Sequence, residues 1–175
     1  HVVGLRIERA TSISELKAAA GDMGDLIRSL YSQGIKVRFA MDLLAAINKR
    51  LMSKLFNLVV PESVLPHVCL VVMGSEGRGE QIVKIDQDNG LIMRDSLDWP
   101  ECQETMERYT KALVDLGFPK CPGQVMVNNP FWVQPISAWT QRMRDWVAKA
   151  DNDSLLNLSI SMDAYPVAGN KALFK

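Results

Sequence analysis

The chain has 175 residues, 47% of them hydrophobic, which is enough to bury one sizeable core with a helical appendage beside it. Twenty basic residues balance twenty acidic ones, so the composition suggests no polybasic surface that would hold nucleic acid or an anionic membrane by charge alone, and a nucleic-acid partner is not expected. Cys69, Cys102 and Cys121 suit neither a disulfide framework nor a zinc site, no apolar run is long enough to span a bilayer, and a cytoplasmic location without a membrane partner is expected.

In chain order, Leu16, Ala20, Met23, Ile27, Leu30 and Tyr31 recur at steps of three and four, which predicts an amphipathic helix between Ser12 and Tyr31. Ser12 or Ser14 can cap its start, Glu15 completes a capping box with Ser12, and Gly34 offers a left-handed stop. A second stripe, Ala40, Leu43, Leu44, Ile47, Leu51, Leu55 and Leu58, predicts a helix that must end before Pro61. Together they are expected to form an antiparallel hairpin, placed in a first domain of residues 1–60 that precedes a second of residues 61–175.

Val68 to Met73 is a short, β-branched apolar run, as expected of a strand covered on both faces. The turn Gly74-Ser75-Glu76-Gly77-Arg78-Gly79 follows it, and Lys84 to Met93 reads as extended chain interrupted by Asp86-Gln87-Asp88-Asn89. Helices are predicted from about Pro100 to Leu116, stopped by Gly117, and from about Ser137 to Ala150, showing Trp139, Met143, Trp146 and Val147 on one side. The segment from Pro119 to Pro130 between them reads as a loop. After Asp151-Asn152-Asp153, residues Leu156 to Val167 read as a short helical turn leading into a third strand that contains Asp163.

Asp86 and Asp88 are one residue apart, so on a strand their carboxylates project from one face. Their mutual repulsion is relieved by a cation, and Mg²⁺ (or Mn²⁺) matches oxygen ligands. An Asp-x-Asp pair followed by Asn89 and Gly90 is equally the composition of a polar turn. What separates the two readings is Gly74-Ser75, directly after a buried strand. A glycine turn with free amides forms an anion-binding concavity, and the Ser75 hydroxyl and Arg78 guanidinium add donors for β- and γ-phosphate oxygens. The spacing fits neither a P-loop nor a dinucleotide fingerprint.

The order strand, Gly-Ser, then Asp-x-Asp on the next strand resembles the nucleotidyltransferase superfamily of DNA polymerase beta. The longer strings from Gly74 to Gln81 and from Lys84 to Asn89 are similar to one branch of it: the nucleotidyltransferase domain found beside CBS and cyclic-nucleotide-binding domains in bacterial signalling proteins, related to the uridylyltransferase that modifies the nitrogen-regulatory PII protein. The similarity continues through Gly117 to Gly123, Met126, Asn129-Pro130, Trp132, Trp139 and Trp146. It implies that Gly74, Ser75, Arg78 and Lys84 bind the nucleotide, that Asp86 and Asp88 bind metal, and that Asp163 is the third carboxylate, completing the metal site and drawing a proton from the acceptor hydroxyl. The branch surrounds this third aspartate with aromatic residues and follows it with an arginine, whereas here it stands in Ser161-Met162-Asp163-Ala164-Tyr165-Pro166-Val167.

Among the remaining residues, Trp132, Trp139 and Trp146 are expected to supply buried contact area rather than to stack on a base. Asn128 and Asn129 either shape a turn or read a ligand, His67 is expected to be structural, and Cys121 inert. The expected fold is α/β, a small mixed β-sheet flanked by helices in the manner of polymerase-beta-type nucleotidyltransferases, behind an N-terminal helical hairpin. The expected activity is metal-dependent transfer of a nucleoside monophosphate from a nucleoside triphosphate to an acceptor hydroxyl, on a protein by the family resemblance. Two alternatives stay open: a nucleotide-sensing module without turnover, and an interaction domain that binds no nucleotide. Opening at His1 without methionine and closing at Leu173-Phe174-Lys175, the chain also reads as part of a longer protein carrying regulatory domains.

Overall fold

The computed structural model describes residues 2–73 and 88–174. The apolar run forms β1, Val68–Val72, with every position buried. β2, Asn89–Met93, pairs with it antiparallel, running from Val72 opposite Asn89 to Val68 opposite Met93. A short strand, β3, Val133–Pro135, adds parallel to β2, and β4, Tyr165–Gly169, adds antiparallel to the other side of β1. The order β3-β2-β1-β4 is a mixed sheet with β1 inside it.

Alternation along β1 sends its side chains into two separate cores. Val68, Leu70 and Val72 join the larger one with the N-terminal helices, and Cys69, Val71 and Met73 join a smaller one built around Trp132, Trp139 and Trp146. The larger core is covered by α1, Val2–Arg9, α2, Ile13–Ser32, α3, Val37–Val59, and α4, Cys102–Asp115. The smaller lies under α5, Ile136–Lys149, and α6, Asn152–Met162. The fold is therefore α/β, a mixed sheet between helical layers.

The α2–α3 hairpin follows its sequence signals. Ser12 accepts a hydrogen bond from the Glu15 N–H, while the Glu15 carboxylate reaches back to the N–H of Thr11 rather than of Ser12. At the far end Gly34 has φ +76, and the bonds Gly34 N–H to Tyr31 C=O and Ile35 N–H to Leu30 C=O close a Schellman motif. α3 stops at Val60, just before Pro61. Tyr109 of α4 then ties the hairpin to the rest: its hydroxyl donates to the Met52 carbonyl at 2.9 Å, and its ring meets Phe56 edge-on at 5.6 Å.

Four expectations need correction. Ahead of the hairpin, α1 buries Ile7 and pairs Arg6 with Asp22, a helix too short to show a stripe. β3 was not anticipated, because three residues carry no period. Val147 is 63% exposed, since it lies about 100° round the helix from Trp146 and off the stripe of Trp139, Met143 and Trp146. Asp163 lies on no strand: α6 runs to Met162, Asp163 is its C-terminal cap, and the strand after it is the fourth.

Candidate active site at one end of the sheet

Of the predicted site residues, Gly74, Ser75, Arg78, Lys84 and Asp86 lie outside the described residues. Asp88 and Asp163 lie within them, and the sheet fixes their relation. Val72 pairs with Asn89 on one side and with Tyr165 on the other. Asp88 directly precedes Asn89, and Asp163 stands two residues before Tyr165. Both aspartates therefore flank the end of β1 from which the chain enters Gly74-Ser75, with roughly 10 Å, two strand spacings, between the backbones of β2 and β4.

Asp88 is held on its backbone and on its side chain. Its carbonyl accepts the Met73 N–H at 2.9 Å, which extends the β1–β2 ladder by one rung. Facing Met73, it belongs to the sheet face of Cys69, Val71 and Ile92. Its carboxylate accepts a hydrogen bond from the Cys121 thiol; burial pushes that thiol up, and the bond to Asp88 and its negative charge push it further. Cys121 thus holds its proton more firmly than a free thiol does. The Asp88 Oδ1 atom is screened from solvent.

The next two residues are strand, not turn. Asn89, 1% exposed, accepts the Val127 N–H at 2.8 Å through its Oδ1, and its own N–H donates to the Val125 carbonyl at 3.0 Å. Gly90 lies where a Cβ would come within 3.2 Å of the Trp132 carbonyl oxygen, so a side chain there would crowd backbone. The Asn-Gly pair that by composition suggested a turn is explained by this packing.

The loop of residues 119–130 is thereby fastened beside the start of β2. Asn129 shapes it, accepting the Phe131 N–H and donating to the Gln124 carbonyl. The three tryptophans are core residues at 3%, 8% and 7% exposure, and Trp139 donates its indole N–H to the Leu91 carbonyl at 3.0 Å. His67 closes a 3₁₀ turn into β1, its carbonyl accepting the Arg94 N–H.

The fold brings one basic group to this end of the sheet that the sequence did not single out. Lys49 of α3 places its Nζ 4.3 Å from the centre of the Tyr165 ring. No local signal could have found it, since the contact joins α3 to β4.

Asp88 and Asp163 offer carboxylate oxygens, the donor type that Mg²⁺ or Mn²⁺ takes, and a secluded, oriented Asp88 fits such an ion. Among the described residues no three His, Cys, Asp or Glu side chains converge to hold a metal. No helix among them is long and apolar enough to cross a membrane.

Comparison with known families matches residues 21–153 to the family described as "Putative nucleotidyltransferase DUF294". The match spans most of the chain, from within α2 to the start of α6, and the chain belongs to this family. Nucleotidyl transfer is the general role that membership supports. No curated protein and no solved structure matches the chain.

Proposed function

We propose that the protein transfers a nucleoside monophosphate from a nucleoside triphosphate to an acceptor hydroxyl, with Mg²⁺ or Mn²⁺ as the cofactor. The observation that carries the reading is the flanking of the β1 terminus by Asp88 and Asp163, at the point where the chain enters Gly74-Ser75. In this reading Gly74, Ser75, Arg78 and Lys84 hold the triphosphate, and Asp86, Asp88 and Asp163 are the metal ligands. When bound, the ion neutralises carboxylate and phosphate charge and favours the alkoxide form of the acceptor.

The acceptor oxygen bonds to the α-phosphorus, the bond from that phosphorus to the bridging oxygen breaks, and pyrophosphate leaves. Asp163 takes the acceptor proton. Asp88, oriented by Cys121 and by its rung on β1, holds its carboxylate in place before substrate arrives, so that little reorganisation is left to the transition state. Similarity to the PII uridylyltransferase branch supports a protein hydroxyl as acceptor and a role in bacterial signal transduction, with regulatory domains as partners in the longer protein.

The test is calorimetric. Wild type and Asp86→Asn/Asp88→Asn are titrated with each common ribonucleoside triphosphate, with Mg²⁺ or with chelator. Wild type is expected to bind nucleotide only with metal, and the double variant not at all, while its stability without ligand holds or rises as two like charges are removed. Metal-independent binding that survives both substitutions refutes the assignment. Pyrophosphate release with candidate acceptor proteins then separates transfer from nucleotide sensing alone.

A further inference from the structure

The sheet face that carries Asp88 also carries a half-open cavity of about 240 Å³, bordered by β1, β2, α5, the end of α6 and the 3₁₀ turn Lys171–Phe174. Its walls place it in the candidate site. Met73, the residue before Gly74, forms one part of them, and Ala164, the residue after Asp163, forms another. The lining is apolar, with the rings of Trp139 and Phe174 on it. Trp139 is a rigid wall, because its indole N–H is already bound to the Leu91 carbonyl.

Two hydroxyls lie in this lining: that of Thr140 already donates to the Ile136 carbonyl of its own helix, whereas that of Ser161, from the last turn of α6, does not. Ser161 is 6% exposed, and its Oγ has no hydrogen-bond partner among the described residues. Rotation about its Cα–Cβ bond moves that hydroxyl between staggered positions, and a polar edge in the cavity would satisfy it.

We propose that this cavity receives the nucleobase of the triphosphate, with the Ser161 hydroxyl meeting its polar edge. The inference rests on the phosphate-binding reading of Gly74-Ser75 given above. A flat heteroaromatic ring matches aromatic and aliphatic walls with one hydroxyl left to satisfy, whereas a sugar would bring several hydroxyls to a wall that satisfies one. With triphosphate at Gly74-Ser75 and a base beside Met73, one nucleotide spans adjacent positions along the end of β1.

The experiment compares Mg²⁺-dependent binding of the four common ribonucleoside triphosphates with that of inorganic tripolyphosphate, which has phosphates but no base. Met143→Trp fills the cavity from α5. Thr140→Trp fills it from an exposed rim position whose hydroxyl bonds only its own helix, and replaces the first variant should that one not fold. Wild type should bind at least one nucleoside triphosphate ten-fold or more tighter than tripolyphosphate. A folded variant should reduce that nucleotide to the level of tripolyphosphate, whose own binding is unchanged.

Nucleotide affinity untouched by a filled cavity overturns the inference and leaves the cavity to an acceptor side chain. Wild type that binds tripolyphosphate as tightly as every nucleotide also overturns it, while the phosphate site stands. Wild type that binds neither overturns both readings together.

Discussion

The side-chain oxygen of Asn89 accepts the backbone N–H of Val127 at 2.8 Å, in a place where Asn89 is 1% exposed. This bond holds the loop of residues 119–130 against the strand that begins one residue after Asp88. Asn89→Ala removes the acceptor and strands a buried donor, which costs about 1–3 kcal/mol. Urea unfolding should show that loss, and a variant as stable as wild type would mean the loop is held by other contacts.

Asp163→Asn should lower the rate of transfer at least ten-fold and, with Asp86 and Asp88 left to hold the metal, leave nucleotide affinity within a few-fold of wild type. A group that takes the acceptor proton matters most in the transition state. Asparagine suits the end of a helix as aspartate does, so α6 and β4 should be kept. Single-turnover kinetics beside calorimetry makes the distinction; collapse of binding in a folded protein would put Asp163 in the ground-state site instead.

Ser75→Ala with Arg78→Ala should weaken triphosphate binding at least ten-fold and change nucleoside binding little, since both side chains are assigned to phosphate oxygens. Equal losses for the two ligands would remove them from the phosphate site.

Burial pushes the Cys69 and Cys102 thiols from 9.0 up to about 11, Cys69 in spite of the lowering effect of Lys171. The folded protein therefore keeps protons that the unfolded chain has released. Stability from this source is intact below about pH 9 and declines as pH rises toward 11. Melting temperatures across that range should fall less steeply in Cys69→Ala/Cys102→Ala than in wild type.

The parts of the fold legible in the sequence are those whose signals are local and redundant. α2 has a stripe, a serine cap and a glycine stop; α3 has a stripe and Pro61; β1 is apolar throughout. α6 reads as no more than a turn in the sequence because its burial runs against its polarity: Ser154 and Ser161 are buried, whereas Leu155, Leu156 and Met162 are exposed. β3 depends on a parallel pairing with β2 that only the folded chain supplies. At the site, motif spacing pointed to Asp88 and Asp163, but their placement on either side of β1 is a property of sheet order, and Lys49 and the cavity beside Met73 are products of tertiary packing.

Sheet order also governs when the protein can finish folding. As the chain is synthesised, Val68–Val72 emerges early and gains β2 soon after, but its second edge stays open until Tyr165–Gly169 leave the ribosome. Until then a five-residue apolar strand presents unpaired amides and carbonyls, a template for any other extended chain. A fragment cut at the family match, residues 21–153, keeps that edge permanently, because it ends before β4. Such a fragment should self-associate at concentrations where the chain through Gly169 stays monodisperse, so the C-terminal strand acts as the guard of the central one.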